Sequence, residues 1–280
     1  MTRDARLRLP PGTPARQARL RLGLPFAPVL SGPKTRAAQI SEMVYGQTFD
    51  VHEQRGRWAF GRVRSLLPGS RRADYVGWVN AKGLQAMAGR VSHAVAVLSA
   101  PVFIRADLKS HIVMSLPLGA KLSVLGETGD YVQIGAGAYL HRAHIRALAE
   151  PETDPVAVAR RYLGQPYVWG GNGARGVDCS GLVQMALCAC GVDCPRDADQ
   201  QEAALGEDVP VPDIAMGRGR PGDLLFWPGH VGVLGSRNRL LHANAHHMMV
   251  VEEALAPALR RMARAGVELR RVKRLGVDAG

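Results

Sequence analysis

Residues 178–191 read Asp178-Cys179-Ser180-Gly181-Leu182-Val183-Gln184-Met185-Ala186-Leu187-Cys188-Ala189-Cys190-Gly191. An acidic capping residue, an apolar run and a closing glycine predict a helix with Cys179 in its first turn and Asp178 near the cap. Free N–H groups and the positive end of the helix dipole favour a thiolate there, moving its pKa from about 8.5 toward neutrality once a histidine partner is added. Taken alone, the segment is equally a buried cysteine at a helix start.

The partner lies downstream. Pro221-Gly222-Asp223-Leu224-Leu225-Phe226-Trp227 reads as a turn and a strand, followed by His230-Val231-Gly232-Val233-Leu234, a turn at Gly235-Ser236-Arg237-Asn238-Arg239, and Leu240-Leu241-His242-Ala243. A hairpin centred on Ser236 sets His230 directly opposite His242 on one face. A metal would need further ligands, and no carboxylate or thiolate is placed to supply them. A cysteine hydrolase needs such a pair: one imidazole takes the thiol proton and a second polar group holds it in the right tautomer. Cys179, His230 and His242 therefore read as nucleophile, base and orienter, with no metal and no cofactor expected.

Upstream, Ala149 to Pro155 is a polar, Pro-rich linker, and Asp154, Pro155 and Gly164 bracket a short helix over 156–163. Before it the chain repeats itself. Gly46, Phe49, Val51, Gly56 and Trp58 recur without a gap as Gly119, Leu122, Val124, Gly129 and Tyr131. Both copies read as a hairpin around a glycine turn. A following strand also repeats, as Tyr75-Val76-Gly77-Trp78-Val79 and Gly137-Ala138-Tyr139-Leu140-His141. The first copy carries about twelve extra residues containing Pro68-Gly69-Ser70-Arg71-Arg72, an insertion that is cheap in a loop.

The chain has 280 residues, of which 46% are hydrophobic and only 5% aromatic, with 32 Gly and 18 Pro, which excludes a disordered or collagen-like chain and favours many short strands. A net charge of +12 invites a polyanion. The charge sits mainly at the two ends, Arg3 to Arg21 and Arg260 to Arg274, and reads as solvated termini with no nucleic-acid motif. The four cysteines fall between 179 and 194, which excludes a disulfide scaffold; Cys188, Cys190 and Cys194 read as small buried hydrophobes. No secretory apolar region and no membrane span can be drawn, so a soluble, cytoplasmic protein is expected.

Taken in order, Pro166-Tyr167-Val168-Trp169-Gly170-Gly171, Asp178 to Gln184, Pro195-Arg196-Asp197, Pro221-Gly222-Asp223-Leu224, His230-Val231-Gly232 and Leu241-His242-Ala243 closely resemble the NlpC-type family of bacterial cell-wall cysteine peptidases. The resemblance covers roughly residues 155–275, and six motifs in family order make it specific. The upstream repeat is similar to bacterial SH3-like barrels. The resemblance implies an α+β papain-like cysteine peptidase domain (150–280) preceded by two small all-β SH3-like barrels (25–88 and 89–149) and a basic N-terminal segment (1–24). It also implies Cys179, His230 and His242 as the triad, Tyr167 beside the oxyanion site, and Asp178 and Ser180 as substrate-binding residues, for both of which helix capping is the alternative. Arg196 and Asp197 either shape the substrate pocket or pair with each other.

The fuller architecture looks like the γ-D-glutamyl-L-diamino acid endopeptidases, which act on peptidoglycan-derived stem peptides with a free N-terminal L-Ala and serve murein recycling. In that subgroup Glu42 and Tyr75 correspond to barrel residues that close the amino-end pocket; an exposed Glu and a core Tyr are the alternatives. Ala245-His246-His247-Met248-Met249 is bulkier than the family's usual loop, so His246 and His247 either narrow the channel or are plain surface histidines. Two other functions fit the same residues: an acyl or amide transferase using the same thioester, or a non-catalytic binder of cell wall or polyanion. Oligomeric state is not legible.

Overall fold

The computed structural model describes residues 4–67, 70 and 74–276. Contacts divide the chain into two units, Met1–Pro151 and Glu152–Gly280.

The first unit is all-β. Its first module contains β1 (Ala18–Leu22), β2 (Phe26–Leu30), β3 (Gln39–Val44), β4 (Thr48–Arg55), β5 (Trp58–Val63), β6 (Tyr75–Asn80) and β7 (Leu84–Gln85), joined in the order β3-β2-β6-β5-β4-β1-β7. The second contains β8 (His93–Val95), β9 (Ser99–Phe103), β10 (Ile112–Pro117), β11 (Lys121–Leu122), β12 (Gly126–Thr128), β13 (Tyr131–Gly135), β14 (Ala138–His141) and β15 (Ile145–Ala147). These form two sheets, β10-β9-β14-β13-β12 and β11-β8-β15.

The repeat is structural. β4 and β5 close on the pair Arg55 and Trp58, β12 and β13 on Thr128 and Tyr131. Gly56 and Gly129 share φ 56°, the left-handed conformation that such a turn requires. After the third strand, Asn80 and His141 each accept a hydrogen bond from the backbone two residues on and start a short 3-10 turn. The insertion lies between β5 and β6, although Pro68, Gly69, Arg71 and Arg72 lie outside the described residues.

Two expectations are corrected in this unit. Residues 18–22 of the expected basic segment (1–24) are not separate from the first module, because β1 pairs with both β4 and β7 and Leu22 is fully buried in that module's core. Nor are Arg19 and Arg21 merely solvated: Arg19 pairs with Asp50, and Arg21 reaches Ser123, Met87 and Gly89. Tyr45 packs in the second module's core, and its carbonyl accepts from Lys121 N–H at 2.7 Å. Gly46 makes that approach possible: its φ is +73°, and a Cβ there would stand 1.9 Å from the Lys121 carbonyl oxygen.

The second unit contains α1 (Pro155–Arg160), α2 (Cys179–Ala189), α3 (Ala198–Ala204), β16 (Glu207–Val209), α4 (Val211–Ala215), β17 (Leu224–Trp227), β18 (His230–Ser236), β19 (Arg239–Asn244), β20 (Met249–Ala254), α5 (Leu255–Arg264) and β21 (Arg271–Arg274). The sheet order is β16-β21-β17-β18-β19-β20, antiparallel throughout. α1 starts as expected, with Asp154 accepting from Val156 and Ala157 and Pro155 in the first turn. α2 is buried from Cys179 to Cys188 and packs against α1, β18 and β19, as a helix apolar all round must.

The basic C-terminal stretch is likewise folded into the unit. Arg261 pairs with Glu253, Arg270 with Glu202, Lys273 with Asp208 and Arg274 with Asp223. No helix among the described residues is long and apolar enough to cross a membrane.

Candidate active site

The site starts at the N-terminus of α2. Asp178 is its N-cap, and its Oδ1 accepts from Gly181 N–H at 2.6 Å. The same carboxylate accepts from Gly170 N–H at 2.8 Å, from Ser180 Oγ at 3.3 Å, and from both terminal nitrogens of Arg196 at 2.9 and 2.7 Å. Arg196 is 2% exposed, so this bidentate pair is dry and each charge depends on the other. Asp178 and Ser180, singled out in the sequence as substrate contacts, are thus first of all a cap and its support. Ser180 also accepts from Arg196 and offers its carbonyl to Gln201.

Arg196 therefore finds its ion-pair partner in Asp178, and Asp197 has a separate task, closing a capping box with Gln200 at the start of α3. Gly181 tolerates no side chain, since a Cβ would stand 2.3 Å from the Gly171 carbonyl oxygen. The helix start, the Gly170-Gly171 segment and Arg196 are locked together around one carboxylate.

Cys179, 6% exposed, sits beside β18, with the backbone N–H groups of Val231 and Ser180 facing its sulfur. Burial pushes its thiol up to about 11, the Asp178 charge adds to this, and the two N–H groups and Arg196 oppose it. The direction is opposite to the lowering expected from the helix start, because burial outweighs the two N–H groups. His230, the neighbour of Val231, is pushed down to about 3 by burial and by His242, so it rests as a neutral base.

The hairpin carrying the histidines differs in register from the expectation. Val233 faces Leu241 and Leu234 faces Leu240, with an irregularity between Leu234 and Ser236, so the turn is Arg237-Asn238 and the pairing is shifted by two residues. A shift by two keeps every side chain on its face. His230 Nε2 still lies 2.9 Å from His242 Nδ1, now as a diagonal neighbour. His230 also packs against Trp227, ring centroids 5.5 Å apart.

The structure adds two residues that sequence reading missed. His242 Nε2 lies 2.9 Å from Glu253 Oε1 on β20, and Glu253 is gripped by Arg261 of α5 at 2.7 and 2.6 Å. Burial alone would raise Glu253; the hydrogen bonds from His242 and Arg261 instead hold it well below the usual carboxylate range. Burial lowers His242, with Glu253 opposing, so it too is neutral near pH 7.

Tyr167 is half-buried, and burial together with the charges of Cys179 and Asp178 raises its hydroxyl. Its N–H donates to the Met248 carbonyl at 2.9 Å. The loop with His246 and His247 is thereby tied to the Tyr167 segment; His246 is exposed and His247 is held by Asn244. Glu42 and Tyr75 belong to the first unit, where both are buried, at 1% and 4% exposure, in β3 and at the start of β6. The expected alternative of an exposed Glu42 is thus replaced by a buried carboxylate, while Tyr75 sits in the first module's core. Cys188 and Cys194 are buried, and none of the four cysteines is joined in a disulfide. Among the described residues no group of three or more His, Cys, Asp or Glu is placed to hold a metal.

Residues 164–264 match the model of the NlpC/P60 family. Dipeptidyl-peptidase 6 of Lysinibacillus sphaericus is 40% identical over 89 residues, 32% of this chain and 31% of that protein. The match thus spans less than a third of that relative's length. Gamma-D-glutamyl-L-lysine dipeptidyl-peptidase of Bacillus subtilis (strain 168) is 28% identical over 228 residues, 72% of this chain and 71% of that protein. An NlpC/P60 family protein from Bacillus cereus ATCC 10987 has the same fold, with a TM-score of 0.75 at 18% identity, covering 92% of this chain and 99% of that one.

Proposed function

We propose that the chain, whose residues 164–264 match the NlpC/P60 family model, is a cysteine peptidase that hydrolyses the γ-D-glutamyl-L-diamino acid bond of peptidoglycan stem peptides that have a free N-terminal L-Ala. The observation that carries the reading is the 2.9 Å contact between His230 Nε2 and His242 Nδ1, with His230 preceding Val231, whose backbone N–H faces the sulfur of the buried Cys179. The substrate class is supported by the Bacillus subtilis relative that runs along both units and is by name a γ-D-glutamyl-L-lysine dipeptidyl-peptidase. In keeping with it, the two β-modules are read as SH3-like, on the strength of the duplicated hairpin and its matching glycine turns. Action on imported murein peptides in the cytoplasm, as a recycling enzyme, completes the proposal.

In this mechanism the Cys179 proton moves to the free nitrogen of His230 as sulfur attacks the γ-carbonyl carbon. Tyr167 and the Cys179 N–H stabilise the oxyanion, each donor lowering the barrier by about 2.7–4 kcal/mol. His230 returns the proton to the departing amine, and water activated by the same imidazole cleaves the thioester. Asp178 already receives five donors, so it acts on substrate through the placement of Cys179. On the resemblance, Glu42 and Tyr75 are proposed to receive the ammonium of L-Ala, which a carboxylate binds through charge-assisted hydrogen bonds.

The test compares tri- and tetrapeptides bearing free and N-acetylated L-Ala, with products identified by mass spectrometry. Rapid release of L-Ala-D-Glu from the free peptides, lost in Glu42→Gln, is the expected result. Equal rates on free and acetylated peptides overturn the amino-end assignment, and conjugates formed with added amines overturn hydrolysis in favour of transfer.

A further inference from the structure

We propose that Glu253, clamped by Arg261, sets the tautomers of both active-site histidines and is thereby a positioning residue of the catalytic relay. The inference rests on the reading of Cys179 and His230 as nucleophile and base.

Donors and acceptors along the chain of contacts fix each hydrogen in turn. Glu253 is bound by both terminal nitrogens of Arg261, at 2.7 Å on Oε2 and 2.6 Å on Oε1, and such a forked pair keeps the carboxylate ionised. An ionised carboxylate only accepts, so the hydrogen of the 2.9 Å contact with His242 must sit on His242 Nε2. A neutral imidazole carries one hydrogen, which leaves His242 Nδ1 as an acceptor. The next 2.9 Å contact, to His230 Nε2, then requires the hydrogen on His230. His230 Nδ1 is consequently bare, the one state in which it can receive the Cys179 proton. Reversing the first contact would reverse every later one and place a hydrogen on the nitrogen that must act as base.

The fold makes the contact durable. His242 faces Val251 across β19 and β20, and Glu253 is two residues further along the same face, the diagonal position within reach of a long side chain. Arg261 comes from α5, which follows directly on β20. The His242 side chain is 1% exposed and that of Glu253 17%, so little water is available to stand in for the carboxylate. The charged and titratable groups bearing on His242 are Glu253, Arg261, His247 and His230, and among them only Glu253 accepts at Nε2.

The test uses the full chain with 15N-labelled histidine, in wild type, Glu253→Ala and Glu253→Gln. Nitrogen-15 spectra without substrate distinguish protonated from bare ring nitrogens. Wild type is expected to show His230 and His242 each protonated at Nε2 and bare at Nδ1. Glu253→Ala is expected to give a mixture, and to lower kcat about 10- to 100-fold with KM unchanged. That loss is smaller than the roughly 10⁴-fold cost of a fully enforced wrong tautomer. Glu253→Gln, which retains an acceptor oxygen, is expected to restore most of both readouts. Wild-type nitrogen patterns in Glu253→Ala, or an unchanged kcat, overturn the proposal. The spectra need no substrate, so a wrong substrate assignment would leave this result standing.

Discussion

The two ends of the candidate active site are each built on an arginine–carboxylate pair, and the pairs work differently. At the helix end, Asp178 and Arg196 are buried, at 8% and 3% side-chain exposure, and every donor around the carboxylate is backbone, hydroxyl or guanidinium. None of these groups titrates near neutrality, so the pair is a fixed anchor for Cys179. At the strand end, Glu253 and Arg261 are more open, at 17% and 30%, and the carboxylate's third partner is an imidazole. The same chemical pair is a structural clamp where it meets a helix cap and a proton-orienting device where it meets a histidine.

The largest expected effect breaks the helix end. Arg196→Met leaves Asp178 buried and unpaired, which costs about 3–5 kcal/mol, and urea unfolding of the isolated variant should show a loss of that size. Gly181→Ala drives a methyl into the Gly171 carbonyl and the Asp178 carboxylate and should be destabilising by more than about 1 kcal/mol, with loss of Cys179 alkylation selectivity. At the strand end, Arg261→Met should change the unfolding free energy in urea by less than about 1 kcal/mol, because its pair is partly solvated. If Arg196→Met and Arg261→Met prove equally destabilising, the distinction between the two ends fails.

A separate effect is one of pH. His230 titrates at about 3 in the native protein, against an unperturbed value near 6.5. Between these values the unfolded chain binds about one proton more at this site, so stability is held above pH 6.5 and declines as the pH falls toward 3. Glu253, held below its ordinary value, acts in the same direction at lower pH. Chemical denaturation across this range should show the decline, and His230→Asn should flatten its upper part.

These ends were unequally legible in the sequence. The helix end was readable because its signals are local: Asp178 precedes an apolar run, and cap, nucleophile and stop lie within fourteen residues. The meeting of His230 and His242 was readable for a more forgiving reason, since strand side chains alternate with period two and an error of two residues preserves the face. Glu253 and Arg261 were not readable. Their contact depends on the register of β20 and on the return of α5, and Arg261 stood in the sequence as one member of a basic cluster. The same holds for Arg270, Lys273 and Arg274, whose acidic partners lie about fifty or more residues upstream. The raised Cys179 thiol was missed because helix dipoles are visible in a sequence pattern and burial depth is not.

The central claim is that Cys179 attacks a γ-D-glutamyl bond. It is tested most directly by incubating L-Ala-γ-D-Glu-diamino-acid peptide with wild type and with Cys179→Ala and following L-Ala-D-Glu by mass spectrometry. The account predicts release by wild type and none above background by the folded variant. Release at the wild-type rate by Cys179→Ala would contradict it.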